Sequence, residues 1–123
     1  MSGINAILAD TNILVYTLDG RPQIMPYLNS LFYISCVTEL EFIGVKEMPK
    51  PKLKRRESFV NDCIILPIDN EIIQIAIRLK QQVKMKTPDA IIAATSIKHQ
   101  LPLLTADTGF KRIPDLLLII LEL

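Results

Sequence analysis

The chain has 123 residues, half of them hydrophobic and 22% charged, which is enough apolar material for a core and too much for a disordered chain. Fourteen Lys plus Arg against thirteen Asp plus Glu leave a net charge of +1, so any nucleic-acid contact must rest on local patches. The longest apolar run, Leu116 to Leu121, is far below the ~18 residues that span a bilayer, and Asp10 interrupts the N-terminus before a secretory core can build.

These bounds predict a single domain over residues 1–123, with no membrane contact and a cytoplasmic location. In chain order, Ile4 to Ala9 reads as a strand ending at Asp10, followed by a helical pattern over Asn12 to Leu18 and a turn at Asp19-Gly20. Pro22 and Pro26 bracket a short helix at most. Leu31 to Ser35 is a second strand, and Thr38-Glu39-Leu40-Glu41 matches a capping box opening a helix, whose end near Gly44 the sequence leaves open.

Pro49-Lys50-Pro51 breaks the pattern, because a residue before proline is pushed out of the helical region; another helix then runs from about Leu53 to Asp62. Ile64 to Ile68 is a third strand. Asn70 or Asp69 caps a long helix with Ile72, Ile73, Ile75, Ala76, Leu79 and Val83 on a core-facing stripe. Thr87-Pro88-Asp89 supplies an N-cap, a proline at the first helical position and an acid in the first turn of a helix running to about Gln100. Pro102 to Thr105 and Leu116 to Leu121 are further strands, separated by a short Thr108 to Arg112 segment. Strands alternating with helices predict an α/β fold, a three-layer α/β/α sandwich around a mostly parallel sheet of about five strands.

Cys36 and Cys63 lie in no CxxC pair and read as buried thiols. His99 is the sole histidine, so a zinc site lacks ligands, and any metal should be hard and oxygen-bound. His99 has no Ser or Cys partner motif either, which disfavours a histidine-based nuclease or hydrolase and leaves it a partly exposed structural role.

In open parallel sheets the functional crevice lies outside the carboxyl ends of the strands. Asp10 and Asp107 fall at or just beyond two such ends, and Glu41 and Asp89 sit in first helical turns that face the same edge. Each has a local alternative: Glu41 completes the capping box, Asp89 complements a helix dipole, Asp10 is an N-cap, and Asp107 is a turn residue before Gly109. Together, four converging carboxylates would repel one another and call for a cation. Oxygen ligation selects Mg2+ or Mn2+, ions suited to phosphodiester hydrolysis.

Asp10-Thr11-Asn12, the segment Val37 to Gly44, Lys86-Thr87-Pro88-Asp89-Ala90-Ile91-Ile92-Ala93-Ala94-Thr95 and Leu103-Leu104-Thr105-Ala106-Asp107 occur in the order seen in PIN-domain nucleases. Over nearly its whole length the chain resembles the VapC-type toxins of toxin-antitoxin systems; PDAIIAAT and the strand followed by TAD are the specific parts. The resemblance implies a Mg2+- or Mn2+-dependent endoribonuclease with Asp10, Glu41, Asp89 and Asp107 as its acidic quartet. Asp10 and Asp89 would be the principal metal ligands, with Thr11, Asn12 and Thr105 orienting ligands or water. Glu41 is preferred to Glu39 because it follows Thr38 by three residues, although Gly44 lies one residue closer than the family pattern has it. An antitoxin partner and a homodimer are implied as well.

Six of the fourteen basic residues fall between Lys46 and Arg56, with Glu47 the sole acid among them. Lys52, Lys54, Arg55 and Arg56 are therefore candidate RNA contacts, a solvated helix face being the alternative, while Lys84 and Lys86 are better placed to meet a scissile phosphate. Four Phe, three Tyr and no Trp leave little for base stacking. Apolar residues on the first helices, Ile13, Leu14, Tyr16, Ile24, Met25 and Tyr27, exceed what one sheet face needs and suggest the homodimer. Two other functions compete: a catalytically silent PIN-fold binding module, and an aspartate-based phosphoryl-transfer domain. The second lacks an acid two residues after Asp10 and an acidic pair adjoining Asp69.

Overall fold

A computed structural model describes residues 5–123. Its five strands are β1 (Ala6–Ala9), β2 (Leu31–Ser35), β3 (Ile64–Leu66), β4 (Leu103–Thr105) and β5 (Leu118–Ile120), and its helices are α1 (Thr11–Leu18), α2 (Cys36–Ile43), α3 (Lys50–Asn61), α4 (Asn70–Gln82) and α5 (Thr87–His99). Two 3-10 turns, Pro22–Tyr27 and Thr108–Arg112, complete the connections. The sheet order is β3-β2-β1-β4-β5, and each adjacent pair is parallel. The expected strand start at Ile4 lies outside the described residues.

Period-two alternation along the strands divides the core into two layers. Ile7, Ala9, Phe32, Ile34 and Leu104 pack with Ile13 and Leu14 of α1, Phe42 of α2 and Val60 of α3. Leu8 and Leu103 face the other way and pack with Ile72, Ile75, Ala76 and Leu79 of α4 and Ala90, Ile92, Ala93 and Ala94 of α5. The expected stripe on α4 is narrower than its sequence suggested. Ile73, about 100° round the helix from Ile72, turns away from the core and remains 38% exposed, as does Ile77 one turn later at 44%.

Helix boundaries supply three corrections. Ser35, not Thr38, caps α2: its Oγ accepts from the Val37 backbone N–H at 3.1 Å, so Thr38 and Glu41 lie inside the helix and form no capping box. The helix ends at Ile43, where a Cβ on Gly44 would come within 2.5 Å of the Leu40 carbonyl oxygen. The N-cap of α5 is Lys86, so Thr87 is its first residue; the Thr87 hydroxyl instead accepts from Lys80 Nζ at 2.8 Å. Finally, α3 begins at Lys50 with Pro51 in its first turn, earlier than the proline pair suggested, because proline is tolerated where a helix has no use for its missing N–H.

Asp69 is the residue that caps α4, accepting from the Ile72 N–H at 2.9 Å, and it also forms an ion pair with Lys98 near the end of α5. The Lys98 ammonium and then the Ile72 N–H hold the Asp69 carboxyl below its ordinary range. A depressed folded-state pKa stabilises the fold above the unfolded pKa and ceases to do so as pH falls through the folded one. Asp69→Asn, which keeps a capping oxygen, is therefore expected to lower Tm at neutral pH. Thermal melts from pH 7 to below ~4 should show the gap to the unsubstituted protein closing in acid.

Cys36 and Cys63 are free thiols, as expected, but only half buried; burial pushes the Cys63 thiol up to about 11, and it donates to the Phe59 carbonyl. His99 is exposed. No helix among the described residues is long and apolar enough to cross a membrane.

Candidate active site

The end of β1 delivers Asp10 to the carboxyl edge of the sheet, where it is 9% exposed. Its Oδ1 accepts from the Thr11 N–H at 2.8 Å, and its Oδ2 accepts from Thr105 Oγ1, also at 2.8 Å, across the β1–β4 pair. Thr105 is fully buried, and its Oγ1 accepts in turn from the Asp107 N–H at 3.0 Å. One hydroxyl thus couples the two strand-end acids. The Asp107 side chain is exposed and bends back to accept from the Gly109 N–H at 2.8 Å, the turn role that its sequence context allowed.

Glu41 arrives from α2. The i to i+3 spacing of Thr38 and Glu41 puts both on one helix face, and that face meets Thr11. Thr11 Oγ1 donates to Glu41 Oε1 at 2.7 Å and lies 3.5 Å from Thr38 Oγ1. Of the two acids on this helix, Glu41 rather than Glu39 is brought to the Asp10 end of the sheet. Asn12 is exposed, and no hydrogen bond among the described residues joins it to the acids.

Asp89 sits in the first turn of α5. Only three residues separate this helix from β4, so its C-terminus lies beside the start of that strand and its N-terminus points toward the edge where β4 finishes. Burial raises the Asp89 pKa first, and the charges of Asp10, Asp107 and Glu41 raise it further, while Lys86 acts in the opposite sense. The Asp10 pKa is also raised, chiefly by burial; the Thr105 and Thr11 hydrogen bonds oppose this, and Asp107 and Glu41 add to it. All four expected carboxylates therefore share one electrostatic neighbourhood.

The donor set is entirely oxygen, which suits a hard divalent ion and no soft one. Among the described residues, however, no group of three or more His, Cys, Asp or Glu side chains is arranged to hold a metal ion. The residues fit such an ion by chemistry and by their mutual repulsion, with the carboxylates standing apart rather than closed into a cage.

The expected basic contacts divide. Arg55 Nη2 donates to the Leu18 carbonyl at 3.1 Å, and Arg56 Nη1 donates to the Phe42 carbonyl at 2.8 Å with its guanidinium 4.3 Å from the Phe42 ring centre. Both satisfy carbonyls left without intrahelical partners at the ends of α1 and α2. Lys52 and Lys54 are exposed on α3, and Lys84 and Lys86 are exposed on the approach to α5. A cleft beside Asp89 and Asp107 is completed by Met85, Gly109, Phe110, Arg112 and Ile113. Arg112, on a short 3-10 turn with no periodicity to mark it, joins Asp107 in this cleft five residues further along the chain.

Parallel strands with acids gathered at the carboxyl edge of the sheet make an α/β domain whose candidate site lies at that edge. The PIN domain family profile matches residues 7–116, and the chain belongs to that family. Among solved structures, a toxin-antitoxin complex from Klebsiella pneumoniae is similar at 30% identity with a TM-score of 0.80, covering 95% of this chain and 98% of that one. FitAB bound to a DNA fragment is 28% identical, with a TM-score of 0.76 and coverage of 93% and 94%. DNA-bound VapBC from Salmonella typhimurium shares the fold at a TM-score of 0.82, with 20% identity over 95% of this chain and 98% of that one. Comparison with curated proteins gives no match. The resemblance to VapC-type PIN domains and the three-layer α/β fold both hold.

Proposed function

We propose that this protein is an endoribonuclease dependent on Mg2+ or Mn2+, the toxin of a toxin-antitoxin pair, acting in the cytoplasm as one PIN-like domain over its 123 residues. The observation that carries this reading is the convergence of Asp10, Glu41, Asp89 and Asp107 from β1, α2, α5 and the end of β4 on one edge of a PIN fold. The similarity to the Klebsiella toxin-antitoxin complex over nearly the full length of both chains supports the toxin role and an antitoxin partner.

Asp10 and Asp89, with Glu41 and Asp107, would hold the ion. When bound, it supplies Lewis acidity toward water and the phosphoryl oxygens. The chain's own contribution is orientation. Thr11 and Thr105 fix both oxygens of Asp10, and the Thr11 hydroxyl also aims Glu41. Lys84 and Lys86 stand exposed beside the Asp89 end of the site, where they attract the RNA backbone, and Lys52 and Lys54 extend the basic surface.

The homodimer expectation narrows. Ile13, Leu14 and Ile24 are consumed by the chain's own core, whereas Met25 stays 67% exposed and offers apolar surface to a second copy or to an antitoxin. Light scattering at high micromolar concentration checks the dimer; a monomeric mass would count against it.

Hydrolysis of single-stranded RNA should require Mg2+ or Mn2+ and stop in excess EDTA. Undiminished cleavage in EDTA would sink the proposal. The rival reading is a PIN fold that binds without chemistry. Calorimetry with Mn2+ separates the two, since the silent module would show no saturable heat.

A further inference from the structure

Among the seven residues lining the cleft beside the acids, Arg112 is the sole cation. Asp89 and Asp107 form its acidic side, and Met85, Phe110 and Ile113 supply apolar walls. The 3-10 turn bearing Arg112 is fixed at both ends: Asp107 caps it through the Gly109 N–H, and Phe110 and Ile113 are buried at 2% and 7% exposure. Arg112 Nε donates to the Gly109 carbonyl at 3.0 Å, which anchors the root of the guanidinium.

No ion pair among the described residues engages Arg112, since the pairs present both belong to Lys98. Asp107 Oδ1 accepts from the Gly109 N–H, and no ion pair among the described residues joins Arg112 to that carboxylate. Arg55 and Arg56 each commit an Nη group to a helix-end carbonyl, whereas Arg112 commits its Nε. A planar guanidinium held by Nε at the rim of an acidic cleft, with its Nη groups not paired to an acid, is shaped for two-point recognition of a phosphate.

We propose that Arg112 is a substrate-binding residue that takes an RNA phosphate next to the scissile one, holding the backbone across the carboxylates. The proposal rests on the nuclease reading above and adds a contact that global charge and charge runs do not reveal. Among the residues lining this cleft, Arg112 is the charge that offsets Asp89 and Asp107 for an approaching RNA strand. With it, one phosphate is neutralised while its neighbour is presented to the acids.

The test uses the full chain and a fluorescent single-stranded RNA oligonucleotide. In the cleavage-deficient Asp10→Asn background, adding Arg112→Ala should weaken RNA binding about tenfold at moderate salt. It should also make the slope of log affinity against log salt shallower by about 0.7, the loss of one phosphate contact. Arg112→Lys should restore that slope, which a purely structural role would not do. In the otherwise unsubstituted protein, Arg112→Ala should raise KM with a smaller change in kcat and leave the Mn2+-induced rise in Tm intact. An unchanged salt slope and KM would overturn the Arg112 assignment and leave the nuclease reading standing. Absence of both RNA cleavage and Mn2+ stabilisation in the unsubstituted protein would instead remove the nuclease reading, while the salt slope would still decide the Arg112 contact.

Discussion

Asp10→Asn is expected to reduce RNA cleavage by at least about a hundredfold while leaving the protein folded. The amide keeps the carboxylate's shape but gives up the charge that holds a cation, and metal-ion stabilisation of a phosphoryl transition state amounts to several kcal/mol, each ~1.4 of them worth a factor of ten. Two effects on stability oppose each other. Removing a buried negative charge is favourable, since burial is the largest influence on this group. Against that, Asp10 accepts from both the Thr11 N–H and the fully buried Thr105 hydroxyl, and an amide has only one oxygen. If that oxygen stays with Thr11, the Thr105 proton loses its acceptor at a cost of about 1–3 kcal/mol. The variant's metal-free Tm should therefore move little, and circular dichroism melts paired with an RNA cleavage assay check both halves. Loss of cleavage accompanied by loss of cooperative unfolding would make Asp10 a structural residue first.

The same network shows why the sheet was legible in the sequence and parts of the site were not. Alternation in Ile7-Leu8-Ala9 and in Leu103-Leu104 assigns one side chain to each core layer, and the following acids mark the strand ends, so the ends of β1 and β4 could be placed to the residue while the start of β1, expected before Ala6, could not. Helix starts were harder. Ser35 and Thr38 are both competent caps, and the choice between them is made where the chain leaves β2, which the local pattern does not carry. The same holds for Lys86 and Thr87, where a threonine before proline looked like a cap but is bound by Lys80 from another helix. Counting charge found the Lys46 to Arg56 cluster without its directions: Arg55 and Arg56 reach back to helix-end carbonyls, Arg55 while staying exposed. Arg112 stood outside every run and acquires its position only through the packing of Phe110 and Ile113.

Asp89→Asn should separate function from stability: cleavage is lost, the rise in Tm normally produced by Mn2+ is lost, and the metal-free Tm stays level or rises at neutral pH. Asp89 is the acid in the first turn of α5, a helix with no side-chain N-cap, so its favourable contribution is a dipole interaction of ~0.3–1 kcal/mol. Thr87 does not share that task, which makes this the upper end of what the charge can contribute. Opposing it are partial burial and the charges of Asp10, Asp107 and Glu41. Asparagine removes the repulsion and retains a polar side chain next to the unsatisfied N–H groups of the first turn. With Mn2+ at about a hundred times its Kd, the unsubstituted protein should gain about 2.7 kcal/mol, a shift easily read in a thermal melt. A marked fall in the metal-free Tm of Asp89→Asn would show that the helix dipole outweighs the crowding. Retention of the Mn2+ shift would show that the ion is held without Asp89, and the site would then have to be rebuilt around Asp10 and Glu41.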